Sequence, residues 1–299
     1  MPTSSERKLP PYPLLRYDVN LSILFSEEPL LRRPKLVTAC GFDAVELWWP
    51  FDTPVPGDRQ VDALVRALEE AGVSLVGLNF DAGDMASGDR GLVSDPDRAD
   101  RFRANIDVAV GIAGRTGCRV LNALYGNRVK GVDVARQDEL ATENLVLAAR
   151  AADRVGATVV VEALNAHENP RYPVTTARAA LAVIDRATAA GGTRVAFLCD
   201  LYHLGRMGED LPAIISDHWR RFGHVQLADV PGRHQPGTGE LDVPGLLAAL
   251  AATGYAGYVG LEYQPAGPSA DSFSWLDPPL RSSRRAAHAL EPRGGEEVQ

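Results

Sequence analysis

Four acidic or amide side chains occupy equivalent places along the second half of the chain. Glu162, Asp200, Gln226 and Glu262 each close a short apolar run: VVVEALN, VAFLCDLYH, GHVQLAD and YVGLEYQ. Successive members are separated by about one strand-plus-helix unit, since a (β/α)8 barrel of ~250 residues divides into units of ~30. Carboxylates and a neutral oxygen donor suit Mg2+ or Mn2+ better than zinc or copper. The spacing therefore predicts one divalent-metal site.

Alternating β-rich and helical segments supply the elements that must position these side chains. Strands are predicted near residues 19–24, 44–48, 74–79, 119–124, 158–163, 194–200, 224–228 and 258–262. Segments with apolar residues at helical spacing lie between them, and several end in glycine, such as Gly72 and Gly117. Strict alternation predicts parallel strands, and about eight of them close a barrel.

We therefore predict an α/β protein with the (β/α)8 TIM-barrel fold, in which strand ends converge on one rim. An open doubly wound sheet is the alternative, but no GxGxxG follows the first strand. The barrel is expected to be a single domain over residues 17–284. An N-terminal extension (1–16) precedes it, and a polar, charged tail (285–299) is expected to fray.

Composition excludes several functional classes. The formal net charge of −8 disfavours nucleic-acid binding, which needs a basic face, so local cations must attract any anionic substrate. Three cysteines without metal-ligand spacing fit a reduced, cytoplasmic setting. No signal-peptide h-region and no run of ~18 apolar residues is present, so neither export nor a membrane partner is expected.

Six segments carry a resemblance to a known family. They are GFDAVELWWPFD (41–52), LYGNRVKGVD (124–133), VEALNAHENPRYPVTT (161–176), CDLYHLGRMGED (199–210), HVQLADVPGRHQPGTGELD (224–242) and GLEYQPAG (260–267). Through them the chain resembles the hydroxypyruvate isomerase family, within the xylose-isomerase-like barrel superfamily. The resemblance implies that Glu162, Asp200, Gln226 and Glu262 bind the divalent ion. It also implies that Glu162 and Glu262 are the proton donor and acceptor.

The chemistry of the residues leads to the same class of reaction. Converting a small anionic hydroxy-keto acid into its aldehyde isomer moves a proton between neighbouring carbons through an enediolate. A Mg2+ or Mn2+ ion can stabilise that negative charge, and two carboxylates on opposite sides of the substrate can move the proton. The predicted reaction interconverts hydroxypyruvate and tartronate semialdehyde.

Supporting residues have both functional and structural interpretations. His203 resembles the family histidine that contacts a substrate oxygen, or else it supports a neighbouring ligand. Arg233 could hold a substrate carboxylate, with Lys130 of the GNRVKG loop as a rival anion holder. Asn79 and Asn122, at strand ends, either line the pocket or hydrogen-bond the rim backbone.

Other residues near the rim are expected to play structural parts. By strand parity His224 points inward below Gln226 as a hydrogen-bonded core histidine. Glu46 either orients a polar rim group or forms an ion pair. The aromatic VELWWPF segment is a candidate homodimer interface or a pocket wall, and the PGTGE segment (236–240) is expected to support Arg233 as a tight turn.

Several related functions remain open from the sequence. A 2-oxo-tetronate isomerase would use the same residues, and Gln264 stands where relatives often carry a basic residue, which leaves the carboxylate-binding group undecided. A keto-sugar epimerase is disfavoured because that branch usually has histidine at the position of Gln226. An apurinic endonuclease needs more histidine than six residues easily supply, and a non-catalytic sugar-binding barrel would not need all four ligands.

Overall fold

Eight parallel strands hydrogen-bond side by side around a closed barrel, in the order of the chain. The computed structural model describes residues 15–283. The strands are β1 (Arg16–Asn20), β2 (Ala44–Leu47), β3 (Ser74–Asn79), β4 (Val120–Asn122), β5 (Thr158–Glu162), β6 (Val195–Asp200), β7 (Phe222–Leu227) and β8 (Tyr258–Leu261). β1 pairs with β8, which closes the barrel and confirms the predicted TIM-barrel fold.

Helices lie between successive strands. They are α1 (Arg33–Ala39), α2 (Asp58–Ala71), α3 (Ala99–Thr116), α4 (Val134–Asp153), α5 (Ala177–Ala189), α6 (Leu201–Arg206), α7 (Leu211–His218) and α8 (Val243–Ala252). Two of them, α6 and α7, lie between β6 and β7. Each buries an apolar stripe, as α2 does with Val61, Leu64, Val65 and Leu68. α2 and α3 end at the left-handed residues Gly72 (φ 69°) and Gly117 (φ 74°), as the sequence predicts.

The first strand begins and ends earlier than the sequence predicts. β1 pairs from Arg16 through Val19 with β8, so the barrel already includes one residue of the expected N-terminal extension. The apolar run after Asn20 leaves the sheet, and Phe25 takes a left-handed conformation (φ 55°) with its ring 6.0 Å from that of Phe273. Its apolar residues are buried by loop packing rather than strand pairing, which explains the misplacement. Residues 1–14 of the expected N-terminal extension and the whole expected tail (285–299) lie outside the described residues.

The structure also shows the state of the cysteines and the length and polarity of the helices. Cys40, Cys118 and Cys199 are free thiols, and the last two are buried in the core. Over residues 15–283, the helices are too short or too polar to cross a bilayer.

Candidate active site

The carboxyl-terminal ends of four consecutive strands place the predicted ligands at one rim. Glu162 ends β5, Asp200 ends β6, Gln226 is the next-to-last residue of β7, and Glu262 follows β8 directly. Asp200 lies beside Gln226 in the register of the two strands. All four side chains are buried. In barrels of this type the active site lies at this face.

Glu162 and Asp200 form a group of possible ligands together with His203. One ligand atom from each residue lies within 4.8 Å of the others. Glu162 Oε2 accepts a hydrogen bond from Asn122 Nδ2 at 2.8 Å. Asp200 caps α6, because its Oδ1 accepts from the backbone N–H groups of Tyr202 (2.7 Å) and His203 (3.2 Å). The other oxygen of Asp200, Oδ2, lies 3.8 Å from His203 Nε2.

The hydrogen bonds of His203 fix its tautomer. Its Nδ1 faces two donors of Asn165, the backbone N–H at 3.1 Å and the side-chain Nδ2 at 2.8 Å, so Nδ1 must accept. Burial and the nearby cations Arg233 and Arg90 lower the pKa of His203 well below its usual value. The ring is therefore neutral with its proton on Nε2. In that tautomer Nε2 is a donor toward the cavity rather than a metal ligand.

Glu262 is held by three donors. Its Oε1 accepts from Trp48 Nε1 at 2.6 Å and from Asn20 Nδ2 at 2.9 Å, and its Oε2 accepts from an Arg233 Nη at 2.8 Å. Burial raises the pKa of Glu262 to about 8, against the opposing effect of Arg233 and with help from the negative charges of Glu46 and Asp200. The carboxyl group is thus fixed in place and suited to exchange a proton near neutral pH.

Gln226 is oriented by a carboxylate below the rim. Its Nε2 donates to Glu46 Oε1 at 2.9 Å, and its Oε1 is buried with no hydrogen-bond partner among residues 15–283. Glu46 Oε2 contacts His224 Nε2 at 2.9 Å. Burial lowers the pKa of His224, but Glu46 and Asp18 outweigh it and raise that pKa to about 9. His224 is thus the buried core histidine that strand parity predicts, and it is protonated.

The donor set fits a hard divalent cation. Burial raises the pKa of Glu162 well above its usual value, and the charges of Glu262 and Asp200 add to the effect. Burial also raises the pKa of Asp200 to about 6, although Arg233 opposes the shift. Asp200 is also the register neighbour of Gln226, whose buried carbonyl oxygen has no partner among residues 15–283. A divalent ion would reduce the repulsion between the carboxylates and would give the carbonyl oxygen of Gln226 a partner.

A second acidic group lies deeper in the barrel, where Asp18, Glu46 and His224 meet. Its histidine is already protonated against Glu46, so its ring nitrogen offers no lone pair to a metal. Burial, with the nearby charge of Glu46, raises the pKa of Asp18 well above normal and favours the neutral acid. This group is an internal charge cluster beneath the rim.

A cavity of about 750 Å³ opens above the rim carboxylates. The predicted residues Asn79, Glu162, His203, Arg233 and Glu262 line it. Asn122 contacts the cavity indirectly, through its bond to Glu162. The structure therefore brings these candidates together.

Lys130 is the exception among the predicted substrate-binding residues. It is exposed and lines a separate cavity of about 390 Å³. The GNRVKG loop turns away from the rim because Arg128 pairs with Asp138 at 2.8 Å and its backbone N–H donates to the carbonyl of Arg171. The structure places Lys130 apart from the central cavity.

The loop after β7 positions Arg233. The PGTGE segment (236–240) supports this loop, as the sequence predicts. The buried carboxylate of Asp229 accepts hydrogen bonds from the backbone N–H groups of Gly237 (2.8 Å), Gly239 (2.9 Å) and Leu241 (3.1 Å). Gly239 packs so closely that a Cβ there would lie 2.1 Å from the carbonyl oxygen of Val230. This arrangement holds the loop, in which Arg233 has a left-handed backbone (φ 56°).

Sequence patterns do not identify several residues of the site. Asn20 bridges Glu46 and Glu262 from the last position of β1, whereas the sequence predicts a strand that continues past it, so only the correct strand end reveals its place at the rim. Arg90, Glu168 and Asn169 line the cavity from loops, where no periodic pattern marks a functional side chain. Trp48 is a wall of this cavity as well as a donor to Glu262.

Comparisons with protein-family models and with curated proteins agree on one family. The model of the xylose isomerase-like TIM barrel family matches residues 34–278. A Streptomyces coelicolor protein provisionally named hydroxypyruvate isomerase is 59% identical, with 90% of this chain and 98% of the relative covered. Escherichia coli hydroxypyruvate isomerase is 31% identical (89% and 99% covered). Pectobacterium atrosepticum 2-oxo-tetronate isomerase is 32% identical (88% and 97% covered).

Solved structures agree on the fold. A Brucella melitensis protein described as an AP endonuclease of family 2 is 36% identical, with a TM-score of 0.80 and 88% of this chain and 98% of that chain covered. An L-ribulose 3-epimerase is 19% identical with a TM-score of 0.70 over 94% and 100% of the two chains, which shows a shared fold alone. The chain thus belongs to the xylose isomerase-like TIM barrel family and, within it, to the hydroxypyruvate isomerase group of aldose–ketose type isomerases.

Proposed function

We propose that this protein is a divalent-metal-dependent isomerase that interconverts hydroxypyruvate and tartronate semialdehyde. The observation that carries the proposal is the pair of buried carboxyl groups, Glu162 and Glu262, that line one cavity at the same rim of the barrel. The names of two relatives, 59% and 31% identical, support the substrate.

Glu162, Asp200, Gln226 and Glu262 would hold one Mg2+ or Mn2+ ion. When bound, such an ion would supply a Lewis acid for the negative charge that develops on the substrate. The support for this assignment is the all-oxygen donor set, in which His203 presents an N–H rather than a lone pair. Hard oxygen donors favour these ions over zinc.

The two glutamates would carry the proton. In the forward direction the C3–H bond of hydroxypyruvate breaks, and a C2–H bond forms on the resulting enediolate. The C3 hydroxyl becomes the aldehyde, and the C2 carbonyl becomes the hydroxyl. Glu162 and Glu262 come from β5 and the end of β8, three strands apart around the barrel, so they approach a substrate from different sides. One takes the C3 proton and the other returns a proton to C2.

His203 and the bonds of Glu262 would assist that transfer. The neutral imidazole presents its Nε2–H to the cavity and can donate to a substrate oxygen that gains negative charge. Trp48, Asn20 and Arg233 hold Glu262 rigidly, which preserves its orientation during the reaction.

A 2-oxo-tetronate isomerase is the second candidate. One relative at 32% identity carries that name, and a cavity of about 750 Å³ exceeds the volume of a three-carbon acid. An apurinic endonuclease, the class named for the Brucella structure, is less well supported. The net charge of −8 opposes binding to a phosphate backbone.

The test is a side-by-side assay of hydroxypyruvate, 2-oxo-tetronate and a ketohexose with Mg2+ or Mn2+, and with EDTA as control. We expect the highest kcat/KM for hydroxypyruvate and loss of turnover in EDTA that added metal restores. A preference for 2-oxo-tetronate would select the second candidate. Turnover of the ketohexose alone, or full activity in EDTA, would contradict the proposal.

A further inference from the structure

The central cavity contains two arginine side chains whose charges are balanced differently. Arg233 contacts the carboxylate of Glu262 at 2.8 Å, so its charge has a partner. Arg90 instead donates to neutral acceptors: Asn169 Oδ1 at 2.5 Å and the backbone carbonyls of Asp89 (2.6 Å) and Met85 (3.0 Å). Across residues 15–283 Arg90 forms no ion pair, and its Nη2 group makes no hydrogen bond. A half-buried cation therefore faces the cavity without a counter-ion.

Neighbouring groups make this unbalanced charge costly. Burial lowers the pKa of Arg90, and the positive charge of Arg233 lowers it further. The negative charges of Glu168 and Asp89 raise the pKa of Arg90, although neither carboxylate contacts its guanidinium. The carboxylate of Asp89 is already bound to Arg98. A carboxylate entering from the cavity would supply the missing partner through charge-assisted hydrogen bonds.

The guanidinium of Arg90 is also held in place before any ligand arrives. The Nδ2 group of Asn169 donates to the carbonyl of Asn165 at 3.0 Å, which turns its Oδ1 toward Arg90. The backbone carbonyl of Arg90 accepts from the N–H of Gly126 at 3.0 Å. Gly91 (φ 96°) lies so close to Leu124 that a Cβ would be 1.9 Å from its carbonyl oxygen. The loop is thus packed tightly against the chain that follows β4.

We infer that Arg90 binds the carboxylate of the substrate and so selects hydroxy-keto acids over neutral keto-sugars. The inference rests on the proposed function, since it names the group that recognises the acid end of that substrate. The neighbouring positions support it, because Gln264 is neutral and Lys130 lies in another cavity. Arg233 is already bound to Glu262, so its role is to position the carboxyl group of Glu262.

The test compares the full-length wild type with R90Q, R90K and the surface control R136Q, all with Mg2+. Arg136 is an exposed residue of α4 that pairs with Glu139 and does not line the cavity, so R136Q removes the same charge outside the site. Calorimetry measures the binding of D-glycerate, an unreactive carboxylate that lacks the ketone. Steady-state kinetics with hydroxypyruvate measures KM and kcat, and thermal unfolding checks the fold.

We expect R90Q to weaken glycerate binding by on the order of 10- to 100-fold, the usual effect of one charge-assisted hydrogen-bonded contact. KM for hydroxypyruvate should rise by a similar factor with kcat nearly unchanged, because the contact exists in both ground and transition states. R90K should show a smaller loss, since lysine keeps the charge but not the planar fork. R136Q should match the wild type.

Equal glycerate affinity in the wild type and R90Q, or no glycerate binding by the wild type, would overturn the inference. A fall in kcat with unchanged KM and glycerate affinity would do the same, since it would indicate a purely structural role. If hydroxypyruvate is not turned over but R90Q still loses glycerate binding, the proposed function fails and the carboxylate site stands. Should R90Q not fold, the comparison of R90K with the wild type decides.

Discussion

Glu46 sets the orientation of Gln226 across the inside of the barrel. The Nε2 group of Gln226 donates to Glu46 Oε1 at 2.9 Å, and because a carboxylate can only accept, the amide cannot face the other way. The carbonyl oxygen of Gln226 is thereby left as a buried, unpartnered acceptor. The same Oε1 also accepts from Asn20, which bridges to Glu262. One side chain from β2 thus supports two proposed ligands.

Replacing Glu46 should therefore weaken metal binding. In Glu46→Gln the new amide can donate as well as accept, so the orientation of Gln226 is no longer unique. We expect the Kd for Mn2+ to rise by about 10- to 100-fold, as for other groups that orient ligands. Titration calorimetry with MnCl2 measures it.

A control separates this effect from the loss of the buried ion pair. His224→Gln removes the cation from the same cluster but leaves Glu46 bound to Gln226. It should lower the Tm while it changes the Kd for Mn2+ only a few-fold. Equal Mn2+ affinity in Glu46→Gln and the wild type would show that Gln226 needs no orienting partner.

The proposed proton carriers should be separable by isotope exchange. Glu162→Gln and Glu262→Gln each remove one basic oxygen with little change in shape, and each should reduce kcat by about 10²- to 10⁴-fold. In D2O, NMR should show the C3 hydrogen of hydroxypyruvate exchanging in the variant that keeps the abstracting base. A Tm close to the wild-type value serves as the control. Substantial turnover by both variants would refute the pairing.

Metal affinity should increase with pH. The raised pKa values of about 6 for Asp200 and about 8 for Glu262 mean that protons compete with the ion below those values. Since the metal binds the deprotonated groups, apparent affinity should rise from pH 6 to pH 8 by up to about tenfold per unit for each proton released, then level off. Calorimetry in buffers of different ionisation heat measures the released protons. Affinity independent of pH, without proton release, would contradict metal binding by these carboxyls.

Trp48 should tune the acidity of Glu262. Its N–H donates to Glu262 Oε1 at 2.6 Å and lowers the pKa of that carboxyl group. Trp48→Phe keeps an aromatic wall but removes the donor, so the pKa of Glu262 should rise. The acidic limb of the kcat/KM profile should then move to higher pH, and kcat/KM should fall more at pH 6 than at pH 9. Parallel profiles for variant and wild type would indicate that the ring acts only by excluding water.

The loop that carries Arg233 should depend on Asp229. Asp229→Ala removes acceptors for the backbone N–H groups of Gly237, Gly239 and Leu241. We expect the free energy of unfolding to fall by about 2–4 kcal/mol, because several donors lose their partner. kcat should also fall, because a displaced Arg233 no longer holds the Glu262 carboxyl group in place. Glu240→Gln, an exposed change in the same loop, is the matched control, and denaturant unfolding gives the comparison.

The barrel and the positions of the proposed ligands can both be predicted from the amino-acid sequence. Both follow from periodicity along the chain, because strands alternate with helices and Glu162, Asp200, Gln226 and Glu262 fall at the strand ends. Parallel strands put those ends on one rim, so local pattern was sufficient. The apolar run after Asn20 is where this reasoning was wrong, because burial by loop packing and burial in a strand leave the same local pattern.

The polar groups that support that rim could be identified only from contacts between distant segments. Glu46 reaches Gln226 across 180 residues of sequence, and Trp48 reaches Glu262 across 214. The tautomer of His203 depends on Asn165, and the separation of Lys130 from Arg90 depends on how two loops turn. Contacts of this kind are set by packing between distant segments and by loop conformation, neither of which leaves a periodic signal in the chain.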